Sequence, residues 1–473
     1  MSRIRRSAKR CGVAVAFAAI LCATIIPGRA QSFRDFMEQE QQEMQRFLRT
    51  GKTDEDQPAD RAEDEEAEPQ EAEWLIMVYA AADNNLDEAI VEDIREMEAV
   101  GSSQAIKIVA LLDRDKEAEW STTRCFLVRN REALGGRPSW DPSLETCKDL
   151  GELNMGDPDN LAMFTGWALK AYPARRTMLL MINHGGGWRE STRRAARQSG
   201  SGAPRIDAAG AALLTRGVCW DDTDDHDFLE SREVRKALAE TPPLTVIACD
   251  ACLMAMVEVA YEWRTVADYL VTSQDTEPWD GWPHDAILKA LTDDPGMPTE
   301  DFLTEIARRY GASYKGSDDI TQSAVDLRRI EDVAKAVDRV GRGIMQHVQA
   351  GKALPDGFRT FFGSYSIPNN PFLDLDGLLE AVAESEGFDA DTRAAARDGR
   401  SAFAEALVAN YSTAPMGRGL SIYAGFTAEE PDYKDDIIQF AADTSWDNCL
   451  AAMIPLFKQA PAEPPGQPKG REW

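Results

Sequence analysis

Two apolar runs, LLMINHGGGW (179–188) and LTVIACDAC (244–252), each stop abruptly at a reactive side chain. Short, continuously apolar runs of this kind read as strands buried on both faces, as in a parallel sheet. The first delivers His184 onto a glycine run, and the second delivers Cys252 two residues after Asp250. A histidine and a cysteine presented at two strand ends are the minimum equipment for thiol nucleophilic catalysis.

The rest of the chain repeats the alternation. WLIMVYAAA (74–82), IKIVALLD (106–113), TRCFLVRN (123–130), TMLLMIN (177–183), RGVCWDD (216–222), LTVIACD (244–250) and DYLVTSQ (268–274) have strand character. Helical patterns follow Asn85, cover LAMFTGWALKAY (161–172) and SREVRKALAE (231–240), and run through LMAMVEVAYEW (253–263). Asn85 with Glu88 has the spacing of a capping box. Alternating strands and helices imply a mostly parallel sheet flanked by helices, with its chemistry at the carboxyl ends of the strands. Beyond about residue 300 the chain turns helix-rich, with Val333, Val337, Val340 and Ile344 on one face, a late strand GLSIYAGF (419–426) and a closing helix.

The 473 residues suffice for two or three domains, and 43% hydrophobic residues support a large core. Residues 1–30 read as a signal peptide: a basic start, the apolar stretch 11–26, and small residues before a cut after Ala30. The apolar stretch falls short of the ~20 residues that span a bilayer. No later run is long enough, so no stable membrane span is expected after signal removal. The net charge of −29 becomes −35 without residues 1–30, which carry six Arg/Lys and no acids. That acidity excludes nucleic acid as a partner, because phosphate binding needs a basic surface. Residues 31–73, with 15 acids and 5 bases, read as an acidic, largely disordered linker. The boundaries that follow are 74–300 for a catalytic domain, 301–460 for a C-terminal helical α/β part and 461–473 for a tail.

Residues 189–216 break the periodicity. A loop this long within a compact unit is functional or disordered, and this one carries Arg193, Arg194, Arg197, Arg205 and Arg216 in an otherwise acidic chain. Six cysteines remain after the signal, too few for a disulfide scaffold and without paired metal-ligand spacing. Cys125 and Cys147 form one candidate disulfide. Cys249 and Cys252 form a C-x-x-C at a strand end rather than at the start of a helix.

A thiol attacks as thiolate, which a nearby histidine favours before returning the proton to the leaving amine. The oxyanion formed needs N–H donors. Glycines after His184 let the backbone approach, making the Gly185 and Cys252 amides the candidates. Asp250 could receive a basic substrate side chain, with Asp280 in EPWDGW (277–282) as a second acid.

The chain resembles the clostripain family of secreted cysteine peptidases, relatives of caspases, gingipains and legumains. WLIMVYAAADNNLD (74–87), ELNMGDPDNL (152–161), NHGGGW (183–188), DACLM (250–254), SQDTEPWDGW (273–282), AVDL (324–327) and GLSIY (419–423) match its blocks in order. The resemblance implies a caspase-like sheet and a His184–Cys252 dyad, with Asp250 as the acid preferring Arg or Lys before the scissile bond. It also implies self-cleavage within 189–216 at one of the five arginines. His284 stands where a tyrosine or similar residue is expected. No cofactor is required by this chemistry, but some family members depend on calcium. Asp222, Asp224 and Asp225 offer oxygen ligands for it, although their run lacks the EF-hand glycine and terminal glutamate.

Two rival readings stay open. One is a catalytically silent module of the same fold that binds basic peptides. The other is a thiol–disulfide oxidoreductase built on Cys249 and Cys252.

Overall fold

The structure is a computed structural model and describes residues 71–188, 217–317, 319–364, 372–414, 417–425, 433 and 438–458. The expected signal peptide, nearly all of the acidic linker, the whole of the 189–216 segment and the tail therefore lie outside the described residues.

A nine-stranded sheet organises the molecule. Its parallel centre is formed by β9 (Ala267–Thr272), β8 (Leu244–Asp250), β5 (Ala174–Ile182), β1 (Ala72–Ala82) and β2 (Ile106–Arg114), in that order across the sheet. Antiparallel strands extend both edges. β3 (Arg124–Leu127) and β4 (Cys147–Asp149) continue beyond β2, and β10 (Thr321–Asp326) and β12 (Leu407–Ser412) continue beyond β9.

β1 shows why the central runs are apolar without alternation. Leu75, Met77, Tyr79 and Ala81 enter the core on one face, while Trp74, Ile76, Val78, Ala80 and Ala82 enter a second core on the other. Each face is covered by helices. One side carries α1 (Asp87–Val100), whose Ile90, Ile94 and Met97 supply the buried stripe, with α5 (His284–Asp293) and α6 (Thr299–Ser313). The other carries α2 (Pro158–Ala171), α3 (Ser231–Leu238), α4 (Val257–Trp263) and α7 (Ile330–Gln349).

Several expectations change in three dimensions. The run 216–222 does not join the main sheet. Its β6 (Val218–Asp221) pairs with β7 (Asp227–Leu229) in a separate two-stranded ribbon, because its turn is short enough to close a local hairpin. The C-terminal part is continuous with the first, since β10 and β12 are strands of the same sheet. α4 begins at Val257 rather than at residue 253, because Leu253 adopts a positive φ of 64° that ends any helix there. The closing segment is two helices, α11 (Gln439–Asp443) and α12 (Trp446–Lys458), and the late strand is β13 (Ser421–Tyr423), paired with β11 (Phe372–Asp374).

The Asn85 capping box does not form. α1 starts at Asp87, and Leu86 at its N-cap makes no side-chain cap. Asn84 takes the local role, accepting the Leu86 N–H at 3.0 Å, which releases Asn85 for another partner.

The candidate disulfide is also absent. Cys125 and Cys147 lie on adjacent antiparallel strands, but their register is offset by one residue, Cys125 opposite Lys148 and Phe126 opposite Cys147. They consequently point to opposite faces and enter different cores. All six described cysteines are free thiols.

Candidate active site

β1 sits between β2 and β5, so the chain builds outward from β1 in one direction and then in the other. Such a switch point opens a crevice beyond the carboxyl ends of the strands. β1 ends there at the Asp83–Asn85 segment, β5 at His184 and β8 at the Asp250–Cys252 turn.

β5 and β8 pair with a constant offset of 68 positions, from Met178↔Val246 to Ile182↔Asp250. His184 and Cys252 each follow two residues after the last pair. The backbones stay together past the strands, with the Asn183 N–H donating to the Asp250 carbonyl at 3.2 Å. Gly185 then lies directly against the cysteine peptide. A Cβ on it would stand 2.2 Å from the Cys252 carbonyl oxygen and 3.1 Å from the Cys252 nitrogen. Gly187, at φ 74°, admits Met256 in the same way. The Gly186 N–H donates to the Gly217 carbonyl at 2.9 Å, joining the described chain on either side of 189–216 beside the site.

His184 is half-buried, and its Nε2 lies 2.8 Å from Asn85 Oδ1. An amide oxygen only accepts, so Nε2 carries the proton and Nδ1 is left as the basic nitrogen. Burial lowers the imidazole pKa below its usual value, and Asp222 only partly opposes this. Asn85 was legible as a cap and not as a histidine partner; no signal within its own segment points 99 residues along the chain to His184.

Cys252 occupies a turn rather than an extended strand. The Leu253 N–H donates to Asp275 O at 3.1 Å and the Ala255 N–H to Ser273 O at 2.8 Å, pinning the turn to the loop after β9. The sulfur accepts the Glu277 N–H at 3.2 Å. Burial pushes the thiol pKa up, the Glu277 amide pulls it down, and Asp250 and Asp275 push it up again; the net shift is upward. Cys249 is sealed in the core, where burial raises its pKa far above the ordinary thiol range. That burial leaves the C-x-x-C without an accessible second sulfur.

Asp250 is buried beneath the loop between β9 and α5. Its Oδ2 accepts the Trp282 N–H at 2.9 Å and lies 3.0 Å from His284 Nε2. Gly281, at φ 56°, gives the carboxylate room, since a Cβ there would stand 3.0 Å from Oδ2. Glu277 closes the same pocket. Burial, then the neighbouring Asp250, raise its pKa well above the carboxylate range. Asp280 is exposed on the same loop, beside the exposed Trp279. His284 is held at both ends: its backbone N–H donates to Glu96 at 2.8 Å, and its ring faces Asp250. His347 is structural, with Nε2 2.8 Å from the Ala353 carbonyl.

The acidic run after β6 is divided. Asp221 turns inward and is fully buried, whereas Asp225 is exposed and Asp222 pairs with His226 Nδ1 at 2.6 Å. Asp222, Asp224 and Asp225 are not among the described carboxylates that converge on one point; Asp221 is. Arg193, Arg194, Arg197, Arg205 and Arg216 lie outside the described residues.

Residues 78–413 match the model of the Clostripain family. Clostripain of Hathewaya histolytica is 27% identical over 390 residues, covering 71% of this chain and 70% of that protein. A secreted C11 cysteine protease from Bacteroides thetaiotaomicron, solved with an irreversible peptide inhibitor, shares the fold with a TM-score of 0.55 and 18% identity, covering 80% of this chain and 100% of that one. An inactive zymogen C11 protease from Parabacteroides distasonis gives 0.53 and 18%, covering 81% and 99%. No helix among the described residues is long and apolar enough to cross a membrane. The family match spans the sheet from β1 to β12, both strand ends included, and the chain belongs to the clostripain family of cysteine endopeptidases.

Proposed function

We propose that the protein is an exported endopeptidase that cleaves after Arg or Lys with Cys252 as nucleophile and His184 as acid–base partner. One observation supports this reading: β5 and β8 pair as far as Ile182 and Asp250, two residues before His184 and Cys252, and Gly185 packs against the Cys252 peptide.

Burial opposes charge on both members of the pair, lowering the His184 pKa and raising that of Cys252. The resting pair is therefore a neutral thiol beside a neutral imidazole. As Sγ forms its bond to the scissile carbonyl carbon, its proton passes to His184. The amides of Gly185 and Cys252 receive the oxyanion, and the Glu277 amide steadies the sulfur. The imidazolium then protonates the leaving amine as the C–N bond breaks. Water, giving its proton to His184, hydrolyses the thioester and restores the thiol.

Asp250 would select the basic side chain, with the exposed Asp280 adding acidic character to the pocket. Processing within 189–216 is supported by its five arginines and by the contact between Gly186 and Gly217 on either side of it. Export is supported by the pattern of residues 1–30 and by the secreted relative from Bacteroides.

An Arg-based chloromethyl ketone tests the chemistry. It is expected to alkylate Cys252 and abolish turnover, while Cys252→Ala takes up no label and cleaves nothing. Cleavage of an Arg or Lys ester retained by Cys252→Ala rejects the dyad, and unlabelled Cys252 in a chain that still binds basic peptides supports the silent module. New N-termini after Arg193, Arg194, Arg197, Arg205 or Arg216 are expected in the wild-type chain and not in Cys252→Ala.

A further inference from the structure

Asp250 does not offer both of its oxygens to a ligand. Its Oδ2 already takes two donors, the Trp282 N–H at 2.9 Å and His284 Nε2 at 3.0 Å. A carboxylate oxygen has about two lone-pair positions, so the protein itself fills Oδ2. Both donors lead to Oδ2 and neither to Oδ1.

The surroundings keep His284 from swinging aside to vacate that position. Its side chain is 3% exposed, its backbone N–H is held by Glu96, and its ring stacks on Trp282 with centroids 6.2 Å apart. One oxygen of Asp93 on α1, one of Asp250 and a ring nitrogen of His284 lie within 4.8 Å of one another. Acids on two sides draw the imidazole into this cluster. The Tyr314 hydroxyl donates to the Gly281 carbonyl at 2.6 Å and fastens the loop that carries the Trp282 amide.

The two basic side chains ask different things of a carboxylate. A guanidinium is a planar fork that gives its strongest pairing through parallel N–H bonds to both oxygens. An ammonium is a compact point charge whose rotatable donors can be met by single oxygens from separate groups. Glu277, which closes the same pocket, has its Oε2 buried without a hydrogen-bond partner. We propose that His284 is a specificity-determining residue: with the Trp282 amide it holds Asp250 Oδ2, leaves Oδ1 alone for the substrate cation, and thereby favours lysine over arginine before the scissile bond. The proposal rests on the reading of Asp250 as the acid that selects a basic residue. Arginine remains a substrate through one N–H at Oδ1, without the second parallel bond.

The full chain tests this with peptide amides identical except for Lys, Arg or citrulline, the neutral counterpart of Arg, before the scissile bond. In the wild type, kcat/KM for Lys should equal or exceed that for Arg, with both far above citrulline. His284→Phe keeps a ring against Trp282 but brings no donor, so it opens one position on Oδ2. It should move the Lys:Arg ratio toward Arg on the order of tenfold, the worth of one charge-assisted hydrogen bond. The ratio is taken within each enzyme, so a loss of folded protein cancels. A residue that only held the loop in place would lower both rates together and leave the ratio unchanged. His284→Leu serves the same purpose if His284→Phe does not fold. A wild-type preference for Arg above about tenfold overturns the proposal without any variant, and so does an unchanged ratio in the folded variant. Asp250→Asn separates the proposal from the reading beneath it. Loss of the preference over citrulline in Asp250→Asn upholds that reading, and an unchanged ratio in His284→Phe then counts against His284 alone. An Asp250→Asn enzyme that still prefers basic residues removes both.

Discussion

His284 closes on Asp250 with Nε2 3.0 Å from Oδ2, both side chains almost completely buried. The histidine thus shares, through Oδ2, the carboxylate that the family resemblance assigns to a basic substrate residue. Burial by itself would lower the imidazole pKa; the hydrogen bond to Asp250, with the charges of Asp93, Asp250 and Glu96, outweighs it and raises the pKa above the usual 6.5. Asp93, from α1 on the same side, is raised well above its own range by burial, despite the opposing pull of His284.

The sign of the pH dependence follows from that shift. A histidine with a raised folded pKa contributes stability that is complete below about pH 6.5 and lost as pH climbs through the raised value. His284→Gln should remove this pH-dependent component and cost roughly 3 kcal/mol at pH 6, since it leaves buried acids without their cation. Melting temperatures of both proteins across pH 5–9 check this; parallel curves would show that the pair carries no linkage.

Gly185 admits no side chain. Gly185→Ala drives a Cβ into the Cys252 carbonyl at 2.2 Å and must displace the cysteine turn. A fall in kcat/KM on the order of 100-fold or more is expected, as for a misplaced reacting group. Esterase kinetics with circular dichroism separate this from unfolding, and near-normal turnover would contradict the apposition.

On the proposed mechanism Asn85, 2.8 Å from His184 Nε2, would act through His184 as a positioning residue. Asn85→Ala should lower kcat by about 10–100-fold with KM little changed, the loss of an orienting contact to an acid–base group. The pH–rate profile should change shape as the imidazole loses its fixed tautomer, and Asn85→Gln should recover part of the rate. A KM effect alone would assign Asn85 to substrate binding.

The proposed mechanism starts from a neutral thiol, in line with burial raising the Cys252 pKa and lowering that of His184. Alkylation by iodoacetamide should therefore accelerate steadily with pH through the neutral range. A flat, fast plateau from about pH 5 to 8 would reveal a preformed thiolate–imidazolium pair instead.

The sheet was legible because its central strands are buried on both faces, and only a parallel, helix-covered sheet demands such unbroken apolar runs. The reactive strand ends were legible for the same reason: each run stops at a polar residue where burial stops. Pairing across the sheet was not legible. The run containing Cys219 and Trp220 reads like any other strand, and its local hairpin depends on which partner it meets first. The single-residue offset that sends Cys125 and Cys147 to opposite cores is likewise invisible in either segment alone.

Local pattern, then, determined the strands, the helices and the residues that carry chemistry, since periodicity and burial are properties of neighbours along the chain. Tertiary structure alone decided which polar groups meet: Asn85 with His184, His284 with Asp250, and Asp83, Asp113, Glu152 and Asp221 with one another. Those meetings join segments separated by tens of residues, and the energy that selects them is the cost of leaving a buried charge or hydrogen-bonding group alone, which exists only once the chain has folded around it.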